Sequence, residues 1–289
     1  MPPPSSPSRA VLVTGCSSGI GHATALRLAA AGLPVYATAR RPESIADLEA
    51  AGCRTLRLDV TDEASMRAAV DTIEAEHGAV GALVNNAGYS QSGAIETVPL
   101  DDVRRQFETN VFGLLRLTQL VLPAMRERRA GRIVNVSSMG ANFTFPGGGV
   151  YHATKYALEA LSDALRFEVA GFGIDVVIIQ PGLIKTGFGD AAVGSMESTG
   201  DDGEGAYDAF NARVAQATAD AYEKGPLAKL GGEPDTVARA IEKAITTRKP
   251  KIRYRVTPSA HLLIGQRRVM TAGMWDAFLR TQFPQPGKS

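Results

Sequence analysis

From Ala10 onward, short apolar runs alternate with longer amphipathic ones, and this rhythm constrains the fold more than any other feature of the chain. The runs Ala10–Val13, Val35–Ala39, Arg54–Leu58, Ala82–Asn85, Arg132–Ser137 and Asp175–Gln180 are rich in Val, Ile and Leu and show little polar alternation. Strands of that composition are buried on both faces, as in a parallel sheet. Between them, Gly19 to Ala31, Glu43–Ala51, Glu63–Glu76, Leu100 to Arg128 and Tyr151 to Phe172 read as helices. Right-handed strand–helix–strand crossovers then build a doubly wound parallel α/β sheet of the Rossmann type, with helices on both faces.

The expected unit is a single domain over residues 10–260. Within it, Gly187 to Gly205 is rich in Gly, Asp, Ser and other small residues, which suits a mobile loop or lid as well as a plain surface loop. The substrate loop is expected to run to about residue 225. Helices follow near Ala206–Lys224 and Glu233–Thr247, with a strand near Ile252–Val256. His261–Phe283 carries apolar residues at helical spacing, so residues 261–289 are expected to form a helical extension packed on the same domain, as an apolar cap or an oligomer contact. Met1 to Arg9 is Pro/Ser-rich without the apolar core of a secretory signal, and is expected to be a disordered tail.

Composition narrows the function classes. Cys16 and Cys53 are the only cysteines, and neither has a nearby Cys or His at metal-ligand spacing. No metal site is expected, and the usage suits a reducing, cytoplasmic location. Net charge is +1, from 31 basic and 30 acidic residues. That balance gives no expectation of nucleic-acid or membrane-surface binding. No apolar stretch approaches the ~20 residues that span a bilayer.

Ala10–Val13 runs straight into Thr14-Gly15-Cys16-Ser17-Ser18-Gly19-Ile20-Gly21, after which a helix begins. Glycines here permit a tight turn and let a pyrophosphate approach the backbone, while the helix N-terminus offers unpaired N–H groups to the anion. Farther on, Tyr151-His152-Ala153-Thr154-Lys155 opens a helix. Positions i and i+4 share a face, so the Tyr hydroxyl and Lys ammonium point into one cleft. A free tyrosine has a pKa of about 10, and a nearby cation moves it toward neutral pH by favouring the phenolate. His152 lies about 100° around the helix from Tyr151 and is expected to face away from the site. Cys16 is read as a turn filler. Ser137 and Ser138 compete for one role, because strand alternation sends only one of them toward the cleft.

The spacing of Gly15, Gly19 and Gly21, T-G-x-x-x-G-x-G, resembles that of the short-chain dehydrogenase/reductase family, and the resemblance continues in order over residues 10–187. Asn85-Asn86-Ala87-Gly88 matches the family's N-N-A-G element. Asn110, Ser138, Tyr151 and Lys155 match its active-site tetrad, and Pro181-Gly182 with Thr186 its P-G-x-x-x-T element. The resemblance implies a nicotinamide-dependent oxidoreductase. In it, Tyr151 passes a proton to or from the substrate oxygen and Ser138 polarises that oxygen. Lys155 binds the nicotinamide ribose and tunes Tyr151, and Asn110 holds a water linking Lys155 to solvent. It also implies a cofactor site of Gly15, Ser17, Ser18, Gly19, Ile20, Gly21, Arg40, Asp59, Val60, Asn86, Ala87, Gly88, Tyr151, Lys155, Pro181, Gly182 and Thr186. Asp59 would touch the adenine.

Counted as the family counts, the acid that would accept from a ribose 2′-hydroxyl falls on Ala39, with Arg40 next and no acid until Glu43. A guanidinium there offers bidentate bonds to a 2′-phosphate, so NADP(H) is the expected cofactor. Phe143, Phe145, Pro146 and Phe188 could line an apolar pocket, and the resemblance is strongest to members acting on steroids, retinoids or other lipophilic carbonyl compounds. A ketoreductase on acyl-carrier substrates and a catalytically silent nucleotide-sensing regulator or scaffold remain alternatives. The two long helices resemble those through which the family forms homodimers or homotetramers.

Overall fold

A computed structural model describes residues 7–187, 194, 205–224 and 227–286. Met1–Ser6 of the expected tail, most of the 187–205 loop and Phe188 lie outside those residues. Seven parallel strands form one sheet in the order β3-β2-β1-β4-β5-β6-β7. They are β1 (Val11–Val13), β2 (Val35–Ala39), β3 (Arg54–Arg57), β4 (Ala82–Asn85), β5 (Gly131–Val136), β6 (Ile174–Gln180) and β7 (Arg253–Arg255). β1 is an interior strand: Val11 is in register with Val35 on one side and Ala82 on the other.

Strand alternation distributes the core over two layers. Val11 and Val13, Ala82 and Val84, and Val177 and Ile179 face one way, against α1 (Gly19–Ala30) and α8 (Pro234–Thr246). Leu12, Tyr36, Leu83 and Ile133 face the other, against α3 (Glu63–His77) and α5 (Leu114–Arg128). Burial on both faces explains why the central strands carry so few polar residues, and why edge strand β3 carries two exposed arginines.

The expected Leu100–Arg128 helix is interrupted. It consists of α4 (Leu100–Phe107), a π-type turn over Glu108–Gly113, and α5. A π turn admits one extra residue and so rotates α5 about its axis relative to α4, and here that turn carries Asn110. The expected helix at Glu43–Ala51 is a 3-10 turn (Pro42–Ile45) followed by the short α2 (Asp47–Ala50). Helices α6 (Gly149–Ala170) and α7 (Asp208–Glu223) stand close to their expected spans. The expected C-terminal helix is two: α9 (Pro258–Val269) and α10 (Ala272–Gln282). Thr257 caps the first and Thr271 the second, each side chain accepting a backbone N–H of the first turn. Both pack on the loop after β5, where Trp275 meets Phe143 at 5.6 Å and Phe145 at 6.0 Å between ring centroids. Among the described residues no helix is long and apolar enough to cross a membrane.

Arg132 of β5 ties the end of α8 to the sheet. Its guanidinium donates to the carbonyls of Ala244 and Ile245 at 2.6 Å and of Thr247 at 2.9 Å, and to Asp175 at 2.6 Å. These carbonyls are orphans of a helix C-terminus, where a cation is favoured. Arg132→Ala leaves all of them without a donor and is expected to lower unfolding free energy by about 2–3 kcal/mol. Urea denaturation checks this, and a loss no larger than at an exposed arginine such as Arg67 would refute it.

Candidate active site

Connections from β1 lead to one side of the sheet and those from β4 to the other, so a crevice opens at the carboxyl ends of these neighbouring strands. The glycine turn forms its floor. Gly15 and Gly19 have φ of +70° and +58°, which disfavours a side chain at either position. A Cβ on Gly21 would lie 2.2 Å from the Gly15 carbonyl oxygen. Ser18, at the start of α1, supplies no side-chain cap, so the first N–H groups of the helix stay available to a ligand. Asn86 braces the turn from β4, its amide donating to the Thr14 and Gly15 carbonyls at 2.9 and 3.1 Å. The Thr14 hydroxyl in turn accepts the Asn86 and Ala87 backbone N–H groups at 3.0 Å. A close, glycine-walled turn with free helix N–H groups fits a dinucleotide pyrophosphate.

The crevice continues as one cleft of about 1280 Å³. Of the residues expected at the cofactor, Gly15, Ser17–Ile20, Arg40, Asp59, Val60, Asn86–Gly88, Tyr151, Lys155, Pro181, Gly182 and Thr186 line it, together with Ser138. Gly21 does not; it lies beneath the turn. Arg40 stands exposed beyond Ala39 at the end of β2, with no ion-pair partner among the described residues. Asp59 holds the backbone N–H and hydroxyl of Thr61 at 2.9 and 2.8 Å. Asn85, first of the N-N-A-G run, is structural. Its amide bridges Thr118 and Asn135 inside the core at 3.1 and 2.9 Å.

Ser138 and Tyr151 meet midway along the cleft, the Ser138 hydroxyl hydrogen-bonding the phenol. Ser137, the competing serine, is buried with no hydrogen-bond partner for its Oγ among the described residues. Burial drives the Tyr151 pKa up and the Ser138 bond opposes it. The Lys155 ammonium lies 5.8 Å from the Tyr151 ring centroid and donates to the Val136 carbonyl at 2.9 Å. Burial pulls its pKa down to about 8, with Glu159 opposing, so at neutral pH it remains mostly protonated beside the phenol.

Asn110 is almost fully buried and does not line the cleft. Its amide donates to the Tyr89 carbonyl at 2.9 Å and to Thr154 Oγ1 at 3.1 Å, while its oxygen accepts the Tyr89 N–H at 3.1 Å. Both amide protons are thus committed to protein. Any water it held would have to donate to the remaining lone pair of Oδ1.

His152 departs from expectation. Its ring is buried, stands edge-on 5.8 Å from that of Tyr151, and shares the cleft wall. Nδ1 lies 2.6 Å from the Gly140 carbonyl, an acceptor, and Nε2 receives the Phe145 N–H at 3.3 Å. These partners require a neutral ring with its proton on Nδ1. The ring therefore fastens the 139–149 loop, which carries Phe143 and Phe145, to the helix bearing Tyr151. An isolated His beside a Tyr carries no such signal, because both partners depend on how the loop folds. Cys16 is buried in the turn and its thiol is pushed up to about 12, chiefly by burial, so it is inert at neutral pH.

Burial holds the His152 pKa below its usual 6.5. The unfolded chain therefore takes up a proton here before the folded one does. The contribution of His152 is complete above about pH 6.5 and is lost as pH falls below it. Thermal unfolding should weaken more steeply over mildly acid pH in the native protein than in His152→Gln. Identical acid slopes would refute this.

A switch-point crevice with a glycine turn at one end and a Ser–Tyr–Lys group in its middle defines a nucleotide-binding oxidoreductase. The chain belongs to the short-chain dehydrogenase family, whose model matches residues 9–195. It is 38% identical over 257 residues to a 3-ketodihydrosphingosine reductase of Bacteroides thetaiotaomicron, covering 89% of this chain and 90% of that protein. It is 36% identical over 260 residues to an NADPH-dependent 3-dehydrocapnine reductase of Ornithobacterium rhinotracheale, covering 86% and 88%. Among solved structures, a short-chain dehydrogenase from Streptomyces avermitilis superposes with a TM-score of 0.77 at 36% identity, over 95% of this chain and 96% of that one.

Proposed function

We propose that this oxidoreductase uses NADP(H) to interconvert a lipophilic carbonyl compound and its secondary alcohol, with Tyr151 as general acid and base. The carrying observation is the Ser138–Tyr151 hydrogen bond, formed where the glycine-turn end of the cleft meets its aromatic end. Bound along the glycine turn, the cofactor would supply or accept the hydride. In the reducing direction Tyr151 gives its proton to the substrate oxygen, and Ser138 donates a hydrogen bond to the same atom. Lys155 holds positive charge beside the phenol and stabilises the phenolate left behind. Asn110 acts as a positioning residue through Tyr89 and Thr154.

Two further observations support the finer parts of this reading. Arg40 follows Ala39, the position at which an NAD-binding site would present an acid, has no ion-pair partner among the described residues, and its guanidinium suits a 2′-phosphate. Past Tyr151 the cleft is walled by Phe143, Phe145, Tyr222, Leu263 and Phe278, an apolar lining that suits a lipophilic substrate. The two reductases among the relatives are named for keto- or dehydro-compounds, one of them a sphingosine derivative, and one is named NADPH-dependent.

NADPH consumption on a panel of lipophilic ketones tests the chemistry. Tyr151→Phe should lower kcat/KM by about a hundred- to ten-thousand-fold, and undiminished activity would sink the assignment. Arg40→Asp should weaken kcat/KM for NADPH about 10- to 100-fold while sparing NADH, the span expected for a lost charge-assisted hydrogen bond. Native turnover as good with NADH would refute the cofactor assignment.

A further inference from the structure

We propose that the outer face of α9, with the adjoining end of β7, docks this protein onto an anionic lipid surface. A net charge of +1 conceals a strongly polarised chain. From Lys243 to the C-terminus there are ten basic residues and a single acid, Asp276, so the preceding part is net acidic. Asymmetry of that kind, rather than net charge, is the electrostatic footprint of a polyanionic partner.

The fold gathers part of this charge beside exposed apolar side chains. On α9, Ser259, Ala260, Leu263 and Ile264 are buried, and Leu263 reaches the cleft. The opposite face presents His261, Leu262, Arg268 and Val269, two adjacent pairs seven residues apart and so two turns along the helix. Leu262 is 51% exposed and Val269 81%. Arg255 joins them from β7, its carbonyl 3.2 Å from His261 Nε2. Arg268 is near enough to Arg255 to disfavour its charge, and neither has a carboxylate partner among the described residues. Arg253, by contrast, is neutralised by Glu159 and Asp163 at 3.0 and 2.6 Å.

Single exposed apolar residues are ordinary. Two of them on the crest of a helix, flanked by unpaired guanidiniums, fit a bilayer interface, where leucine and valine enter the acyl boundary and arginines meet lipid phosphates. Protection of an open sheet edge accounts for charge on β7, but not for Arg268, Leu262 or Val269 on a helix. A second copy is a poor occupant, because two-fold pairing of this face would set Arg255 and Arg268 against their own images. A soluble acidic partner would satisfy the arginines and leave the protruding Leu262 and Val269 unexplained. The inference is independent of the reaction proposed above. It would bring one wall of the cleft, formed in part by α9 and α10, to a lipid surface.

Flotation of the full chain with vesicles of phosphatidylcholine, with and without phosphatidylglycerol, tests it. Binding should require phosphatidylglycerol and weaken with salt. Arg268→Gln should lower the partition coefficient about five-fold, and Arg255→Gln/Arg268→Gln further. Leu262→Gln/Val269→Gln should also release the protein, with thermal unfolding and light-scattering mass unchanged in each variant. Equal flotation on both vesicle types, or none, overturns the proposal. Binding to anionic vesicles that survives Leu262→Gln/Val269→Gln also overturns it, because Leu262 and Val269 then take no part in the contact. A fall in mass in either variant overturns it in favour of subunit pairing.

Discussion

The molecule is organised by the point at which its sheet changes direction. β1 and β4 are hydrogen-bonded neighbours, yet the chain leaves them for opposite flanks, so nothing covers the gap between their carboxyl ends. That gap must be held at a fixed width for two distant segments to act on one ligand. Thr14 and Asn86 hold it. Four hydrogen bonds between 2.9 and 3.1 Å join the loop after β1 to the loop after β4. Gly15 and Gly21 make the approach possible, since a side chain on either would strike backbone. The phosphate turn, Asn86–Gly88 and the Ser138–Tyr151–Lys155 group all take their positions from strands anchored at this junction.

The same architecture explains the electrostatics of the site. Parallel strands buried on both faces deliver their loops to one deep cleft, and ionisable groups desolvated in its walls are pushed toward their neutral forms. Tyr151 is driven up, Lys155 is drawn down, and His152 is held neutral. Each is compensated by a specific bond, to Ser138, Val136 and Gly140 respectively. Such a group is costly to bury and sensitive to small changes around it, which is the condition in which protonation can be coupled to chemistry.

Much of this was legible in the sequence because it is encoded locally. β2 and β4 fall where their apolar runs lie, since a doubly buried strand must be apolar throughout. The glycine turn was readable because its backbone needs glycine whatever the surroundings. Ser137 and Ser138 both line the cleft, contrary to what alternation required, and it is the Ser138 hydroxyl that meets the Tyr151 phenol. Long-range features were illegible. The bonds of Arg132 reach 112 to 115 residues along the chain, and those of His152 depend on the loop's path. The π turn at Asn110 leaves no mark in helical periodicity, because only its partners on Tyr89 and Thr154 reveal it. The break between α9 and α10 did have a signal: Thr257-Pro258 and Thr271 are helix-capping residues that a reading by apolar spacing alone passes over.

The interior position of β1 has a consequence for how the molecule is made. Val11–Val13 is synthesised before both its neighbours, β2 near residue 35 and β4 near residue 82. Its edges are therefore open while tens of residues are added, at about 5–20 residues per second in the cell. β7 and the end of α8 held by Arg132 are added later still. The growing chain thus spends seconds as a partial sheet with an unpaired apolar edge, and its exposure to aggregation is set by topology rather than by the stability of the finished fold.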